Sequence, residues 1–370
     1  MKLMQVLIGL VVLASASIQV SPVAAQSGSR LPSRLEVGVY VGPQSDISGV
    51  GEVGLTWVKY RVELTRDNLA ELPTRIAAAN KLGLKVLLQV MGDRARAGDV
   101  AYWKEYAAQV ATLAQANPNA IEIWHYQNLD REIGGSGTGK VSPEGYVGLL
   151  REAYGAIKAA NKSVVVISGA LAATGYFGGG CTAGGCDNKP FIERMSAAGA
   201  ARYMDCLGVA VYGSPNPPDV RKGGPTGDHS SWYFLGTIEV SVKAFRNAKP
   251  ICLTGVGDIS KDGIVDALSA GFSWGNNITV ADQATWLAQA VVVARRMRNV
   301  RLMVITNWDL RGYTSDAEWS PNPLPNGPMD GSLYSIVRPD GSCLACVGLR
   351  GVLIEGKAAS WSRDAIGTLQ

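Results

Sequence analysis

The chain is poor in histidine: His125 and His229 are the only two in 370 residues, and they lie on distant segments. That spacing offers no ligand set for a metal ion, and no metal or organic cofactor is expected. After the first residues no stretch reaches the roughly 18 uninterrupted apolar residues of a membrane-spanning helix, so no membrane span is expected. The formal charge is only +4, and the Lys and Arg residues are dispersed, with no basic block interleaved with aromatics. Nucleic acid is therefore excluded as an expected partner. No internal repeat or second domain is apparent.

What is present begins with an export signal. Lys2, the apolar run Val6–Leu13 and the small residues Val23, Ala24 and Ala25 read as a signal peptide over 1–25. The mature chain is expected to be secreted and monomeric. Of the six cysteines, Cys181 and Cys186 flank a Gly-rich loop, and Cys343 and Cys346 form a C-x-x-C. Export makes a disulfide the default for each pair, with a four-thiolate zinc site as the alternative. Cys206 and Cys252 fall inside predicted strands and read as buried small apolar residues.

Strand-like and helix-like segments then alternate. The strands are expected at 35–42, 56–64, 85–92, 121–126, 163–171, 205–213, 250–257 and 301–309. Helical stripes run through Trp103, Tyr106, Val110 and Leu113, through Tyr146, Leu149, Ala153 and Ile157, and through Trp286, Leu287, Ala290 and Val291. Ser142-Pro143 and Thr279 provide start signals for the last two. Weaker helices are expected over 67–82, 190–200 and 232–246. Eight strands alternating with helices predict a single (β/α)8 TIM barrel over 35–350, with a polar leader at 26–34 and a tail at 351–370. Its site lies where the strands end and their loops begin.

Alternation predicts which side chains face the barrel axis. On the second strand Val58, Tyr60 and Val62 suit the helix side, leaving Lys59, Arg61 and Glu63 inward. Gln89, Glu122, Trp124, Tyr126, Ala210 and Tyr212 are expected inward on the same logic. Lys59, Arg61, Glu63 and Glu122 either neutralise one another as a buried ionic layer or, toward the mouth, take part in a site.

At these positions a resemblance emerges. Thr56-Trp57-Val58-Lys59, Ile121-Glu122-Ile123-Trp124, Asn128-Leu129-Asp130-Arg131-Glu132, Val166-Ile167-Ser168-Gly169 and Ile336-Val337-Arg338-Pro339-Asp340-Gly341 resemble, in order and at barrel spacing, secreted bacterial clan-A glycoside hydrolases of the family 39 and family 5 types and cellulase-like proteins. The resemblance implies an acid/base carboxylate at the end of strand four and a nucleophile at the end of strand seven, roughly 5 to 5.5 Å apart in a retaining enzyme. Here Tyr126 stands at the acid/base position, His125 at that of the preceding asparagine, and Gly255 at that of the nucleophile. The remaining family-type contacts would come from Tyr40, Arg61, Trp124, Asn128, Tyr212, Asn307 and Trp308, lining a cleft for a carbohydrate or other small molecule.

Glycine supplies no nucleophile, and a phenol with a reference pKa near 10 is a poor general acid. Three readings follow. The barrel binds carbohydrate without cleaving it; or it carries different acid/base chemistry on His125 and Tyr126, with Glu63 and Arg61; or it keeps a glycosidase reaction through displaced carboxylates among Glu63, Asp130, Glu132 and Asp258. Asp130 and Glu132 also suit the start of a helix, and His125 also suits a hydrogen bond into the barrel wall.

Overall fold

The structure, a computed structural model, describes residues 34–65, 67, 69–133, 142–212, 215–310 and 330–356; the expected signal peptide and the end of the tail lie outside them. Eight β-rich segments form β1 (Glu36–Tyr40), β2 (Trp57–Glu63), β3 (Lys85–Met91), β4 (Ala120–Ile123), β5 (Val165–Ser168), β8 (Leu207–Tyr212), β9 (Ile251–Gly257) and β10 (Val300–Ile305). β6 (Cys181–Thr182) and β7 (Gly185–Cys186) are a small antiparallel hairpin in the loop after β5. All neighbours in the order β5-β4-β3-β2-β1-β10-β9-β8 pair in parallel. The seam between β5 and β8 is joined by a bridge between Ile167 and Cys206. A side chain at Gly208 would overlap the Ser168 carbonyl there, so glycine permits this close approach. The expected (β/α)8 barrel is the observed fold.

Helices α1 (Leu72–Lys81), α2 (Val100–Gln115), α3 (Pro143–Ala160), α4 (Asn188–Ala197), α5 (Phe234–Phe245), α6 (Val280–Arg296) and α7 (Leu344–Leu353) cover the sheet. Ser142 caps α3 by accepting from Gly145 N at 3.0 Å, and Thr279 and Asp282 form a reciprocal capping box at α6. The apolar stripes of α2, α3 and α6 pack on the outward-facing Val58, Tyr60, Val62, Ile121, Ile123, Val209 and Val211, as alternation requires. Among the described residues no helix is long and apolar enough to cross a membrane.

The barrel interior holds an apolar layer that includes Trp57, Leu87, Ala120, Ile167, Cys206, Cys252 and Leu302. One expectation is corrected here. Cys206 and Cys252 are not free apolar fillers but a disulfide with a Cα–Cα distance of 5.9 Å. Both point inward from adjacent strands, with Gly208 in register with Cys252, and this brings two distant thiols to bonding distance. The disulfides Cys181–Cys186 and Cys343–Cys346 form as expected.

Candidate functional site

Four groups converge on the fully buried carboxylate of Glu122 at the centre of the barrel. Lys59 Nζ donates to Oε2 at 2.7 Å, while Oε1 accepts from Thr254 Oγ1 at 2.8 Å and Ala170 N at 3.1 Å. His125 Nδ1 lies 3.2 Å from the same oxygen. Burial alone would raise the Glu122 carboxyl, but Lys59 and His125 outweigh it and hold it at about 2. Burial lowers both Lys59 and His125, with Glu122 opposing. An ionised acceptor beside a neutral imidazole puts the proton on Nδ1 and leaves Nε2 as a lone-pair acceptor. This layer neutralises buried charge, and it also fixes the tautomer of a strand-end histidine.

Nearer the mouth, Arg61 Nε donates to Glu63 Oε1 at 2.6 Å, and Arg94 Nη2 reaches the same oxygen at 3.1 Å. Arg94 Nε continues to Glu132 Oε2 at 3.2 Å. Burial would lower the Arg61 guanidinium, but Glu63 and Glu132 more than compensate, and it stays charged. Glu63 Oε2 is buried without a hydrogen-bond partner among the described residues. Asp130 and Glu132 lie in the first turn of a short 3-10 helix, and Glu132 also serves the arginine network.

β4 ends at Ile123, and Trp124 and Tyr126 take left-handed backbone conformations with φ of 69° and 53°. Alternation therefore stops, which overturns the inward placement of Trp124. Its ring is fully buried, 5.6 Å from that of Tyr106 on α2, and its Nε1 donates to Glu132 O at 2.7 Å. Asn128 is likewise a clamp. It donates to Ala172 O and Cys186 O, each at 3.0 Å, and accepts from Ala172 N at 2.8 Å. Asn307 donates to Ser335 Oγ at 2.8 Å, and Trp308 donates from Nε1 to Asp46 O at 2.8 Å. These four residues hold loops together, and none of them lines the central cavity.

The residues brought together there are Tyr40, Lys59, Arg61, Gln89, His125, Tyr212 and Thr306. They enclose about 10 Å³, room for about one water molecule. Tyr126 packs on two of these residues, its ring 3.9 Å from that of His125 and edge-on to Tyr212 at 6.2 Å. Burial, then Tyr212 and Tyr334, hold the Tyr126 phenol well above its ordinary range.

Gly255 faces the same group because of a bulge. Val209 pairs with Leu253 but Ala210 pairs with Gly255, so one extra residue is inserted at Thr254. Thr254 thereby reaches Glu122 while Gly255 faces Tyr212. A Cβ at Gly255 would overlap the Tyr212 hydroxyl, which is itself 2.9 Å from Thr306 Oγ1. Burial raises the Tyr212 phenol as well. Asp258, one residue beyond β9, is 8% exposed, and burial, with no compensating partner among the described residues, pushes its carboxyl up to about 8. Neither Glu63 nor Asp258 lines the central cavity.

Sequence reasoning missed an aromatic extension of the mouth. Tyr334 lies 5.4 Å from Tyr212, and Tyr212, Phe272 and Trp274 pack on one cluster around Ile259, Ile278 and Leu333. Trp274 in turn lies 6.4 Å from Trp232. The one available signal was the pair of aromatics in the Gly- and Ser-rich segment 269–275, which reads from sequence as an ordinary loop.

This arrangement invites comparison with known barrels. No protein-family model matches the chain, and no curated protein matches it. Solved structures do. A glucosidase from Croceicoccus marinus is similar at a TM-score of 0.55 and 15% identity, over 88% of this chain and 68% of that one. The fold is shared with clan-A glycoside hydrolases. A broad-specificity family 5 endoglucanase from Clostridium acetobutylicum is similar at 0.51 and 12% identity, covering 86% of this chain and 96% of its own. ZgEngAGH5_4, solved in complex with a cellotriose, is similar at 0.54 and 10% identity, covering 88% of this chain and 98% of its own.

Proposed function

We propose that this barrel binds carbohydrate at its strand-end mouth and has lost the retaining glycosidase reaction. The observation that carries the reading is the overlap between the Tyr212 hydroxyl and any side chain at residue 255. Retaining hydrolysis needs two carboxylates about 5 to 5.5 Å apart, one as nucleophile and one as acid/base. The strand-seven position is glycine with its space filled by a phenol, and the strand-four position is a tyrosine whose proton is held tightly. Of the remaining carboxylates, Glu122 is committed to Lys59, Glu63 to two arginines and Glu132 to Arg94, while Asp258 carries no such pairing among the described residues but lies outside the lining of the central cavity. The central cavity has space for a water, not a sugar ring, so a glycan would lie across the mouth. The aromatic set Tyr126, Tyr212, Phe272, Trp274 and Trp232 offers the faces and edges that suit sugar rings. Three disulfides fit a secreted protein.

Glycan-array binding, followed by calorimetry on the best oligosaccharide, tests this reading. Tyr126→Ala and Trp274→Ala should each weaken binding about fivefold or more, measured at a temperature where each variant is still fully folded, since one lost stacking contact is worth about 1 kcal/mol or more. A silent array, or binding indifferent to both replacements, would remove the proposal.

A second reading rests on a separate observation. Glu122 orients His125, which lines the one-water cavity, an arrangement able to move a proton. Turnover of ester or proton-abstraction substrates that is lost in His125→Ala would favour it; turnover that survives this change would exclude it.

A further inference from the structure

The opposite end of the barrel carries an open cavity of about 550 Å³, lined by Asn247, Lys249, Pro250, Arg298, Asn299 and Arg301. That volume falls within the range of small-ligand sites, roughly 300 to 1,000 Å³. It lies where the chain enters β9 and β10, on the amino-terminal face, away from the mouth. Three cations and two side-chain amides line it, with no carboxylate among them.

The sequence around it is equally one-sided. Neither 240–257 nor 283–308 contains an Asp or Glu, whereas they carry Lys243, Arg246, Lys249, Arg295, Arg296, Arg298 and Arg301. Several surface arginines elsewhere find acids: Arg96 pairs with Glu105, Arg194 with Glu144 and Arg221 with Glu239. The walls are held in place by their own bonds. Asn299 Nδ2 donates to Asn247 Oδ1 at 3.0 Å, Ile251 N donates to Asn299 O at 2.8 Å, and Arg301 Nη1 donates to Arg298 O at 2.5 Å. A fixed guanidinium presents further N–H donors in a planar fork that matches carboxylate and sulfate oxygens.

We infer that this pocket is an anion-binding site for an acidic polysaccharide, taking sulfate or carboxylate groups on Lys249, Arg298 and Arg301. A polymer fits better than a single ion because the helices that lead into β9 and β10 also end in exposed cations, Lys243 and Arg246 at the end of α5 and Arg296 at the end of α6. Nucleic acid fits less well: no aromatic side chain lines the pocket to stack on bases. The site is independent of any ligand at the mouth.

The test is binding of the full chain to heparin and, separately, to polygalacturonate, with salt titration, a single-stranded DNA of equal length serving as comparison. The variant Lys249→Gln/Arg298→Gln/Arg301→Gln should weaken binding at least tenfold to whichever polysaccharide binds, and should flatten the dependence on salt. The control Lys81→Gln/Lys104→Gln/Lys162→Gln, which removes the same charge from other exposed positions, should change binding less than twofold. The melting temperature of each variant confirms folding, and single Gln replacements serve should the triple variant fail to fold. Sulfated and carboxylated polymers distinguish the anion that is taken. Failure to bind either polymer, tighter binding to DNA than to both, or equal weakening by the control set would each overturn the inference.

Discussion

The hydroxyl of Tyr212 fills the space that a side chain at Gly255 would enter. The two residues lie on adjacent strands, and the bulge at Thr254 turns residue 255 toward the tyrosine. Restoring a carboxylate at 255 therefore requires removing the phenol as well. Tyr126→Glu/Gly255→Glu should be destabilised by overpacking, by about 1 to 3 kcal/mol, and inactive on aryl β-glycosides. Adding Tyr212→Ala should recover stability and create measurable hydrolysis. Equal activity with and without the third change would show that Tyr212 does not block the position.

Glu122 is bonded on all sides, so Glu122→Gln leaves Lys59 buried without its counter-charge. An expected loss of about 3 to 5 kcal/mol is measurable by urea unfolding, and Lys59→Met/Glu122→Gln should lose less than the single change. The pH dependence follows from the depressed carboxyl. Below its ordinary pKa the unfolded chain takes up the proton first, so the stability Glu122 contributes is complete above about pH 4.5 and lost as pH falls toward 2.

Asp258 behaves in the opposite sense. Its folded carboxyl is raised to about 8 from 3.8, so between these values the native state holds a proton that the unfolded chain has released. Its burial therefore opposes folding increasingly as pH rises from 4 to 8. Asp258→Asn should match the parent near pH 4 and melt higher than the parent at pH 8. A stability difference that stays constant with pH would contradict this environment for Asp258.

Cys206 and Cys252 close a loop across 46 residues. Cys206→Ser/Cys252→Ser should cost about 2 to 4 kcal/mol in thermal or chemical unfolding, with glycan binding at the mouth unchanged. Intact mass after alkylation without reductant should show no free thiol in the parent.

Much of this architecture was legible in the sequence, for physical reasons that also mark where legibility stops. The period-two pattern of 57–63 placed Lys59, Arg61 and Glu63 inward because β2 is regular to its end. The same logic failed one residue past β4, where Trp124 turns left-handed and drops into the core outside the barrel. The resemblance puts Asn307 and Trp308 in the cleft, yet they bind the backbone and side chains of neighbouring loops. The thiols of Cys206 and Cys252 meet only through strand register, and Gly255 faces Tyr212 only through a bulge; no local pattern encodes either. The aromatic extension through Tyr334, Trp274 and Trp232 gathers three separate segments, so only folding reveals it.

The most direct measurement follows one oligosaccharide in one experiment: a binding isotherm of the unmodified chain together with chromatography of the same sample after prolonged incubation. The account predicts saturable binding with no product above the blank. Product formation that disappears in Glu63→Gln or Asp258→Asn would contradict it, and would establish a glycosidase working through displaced carboxylates.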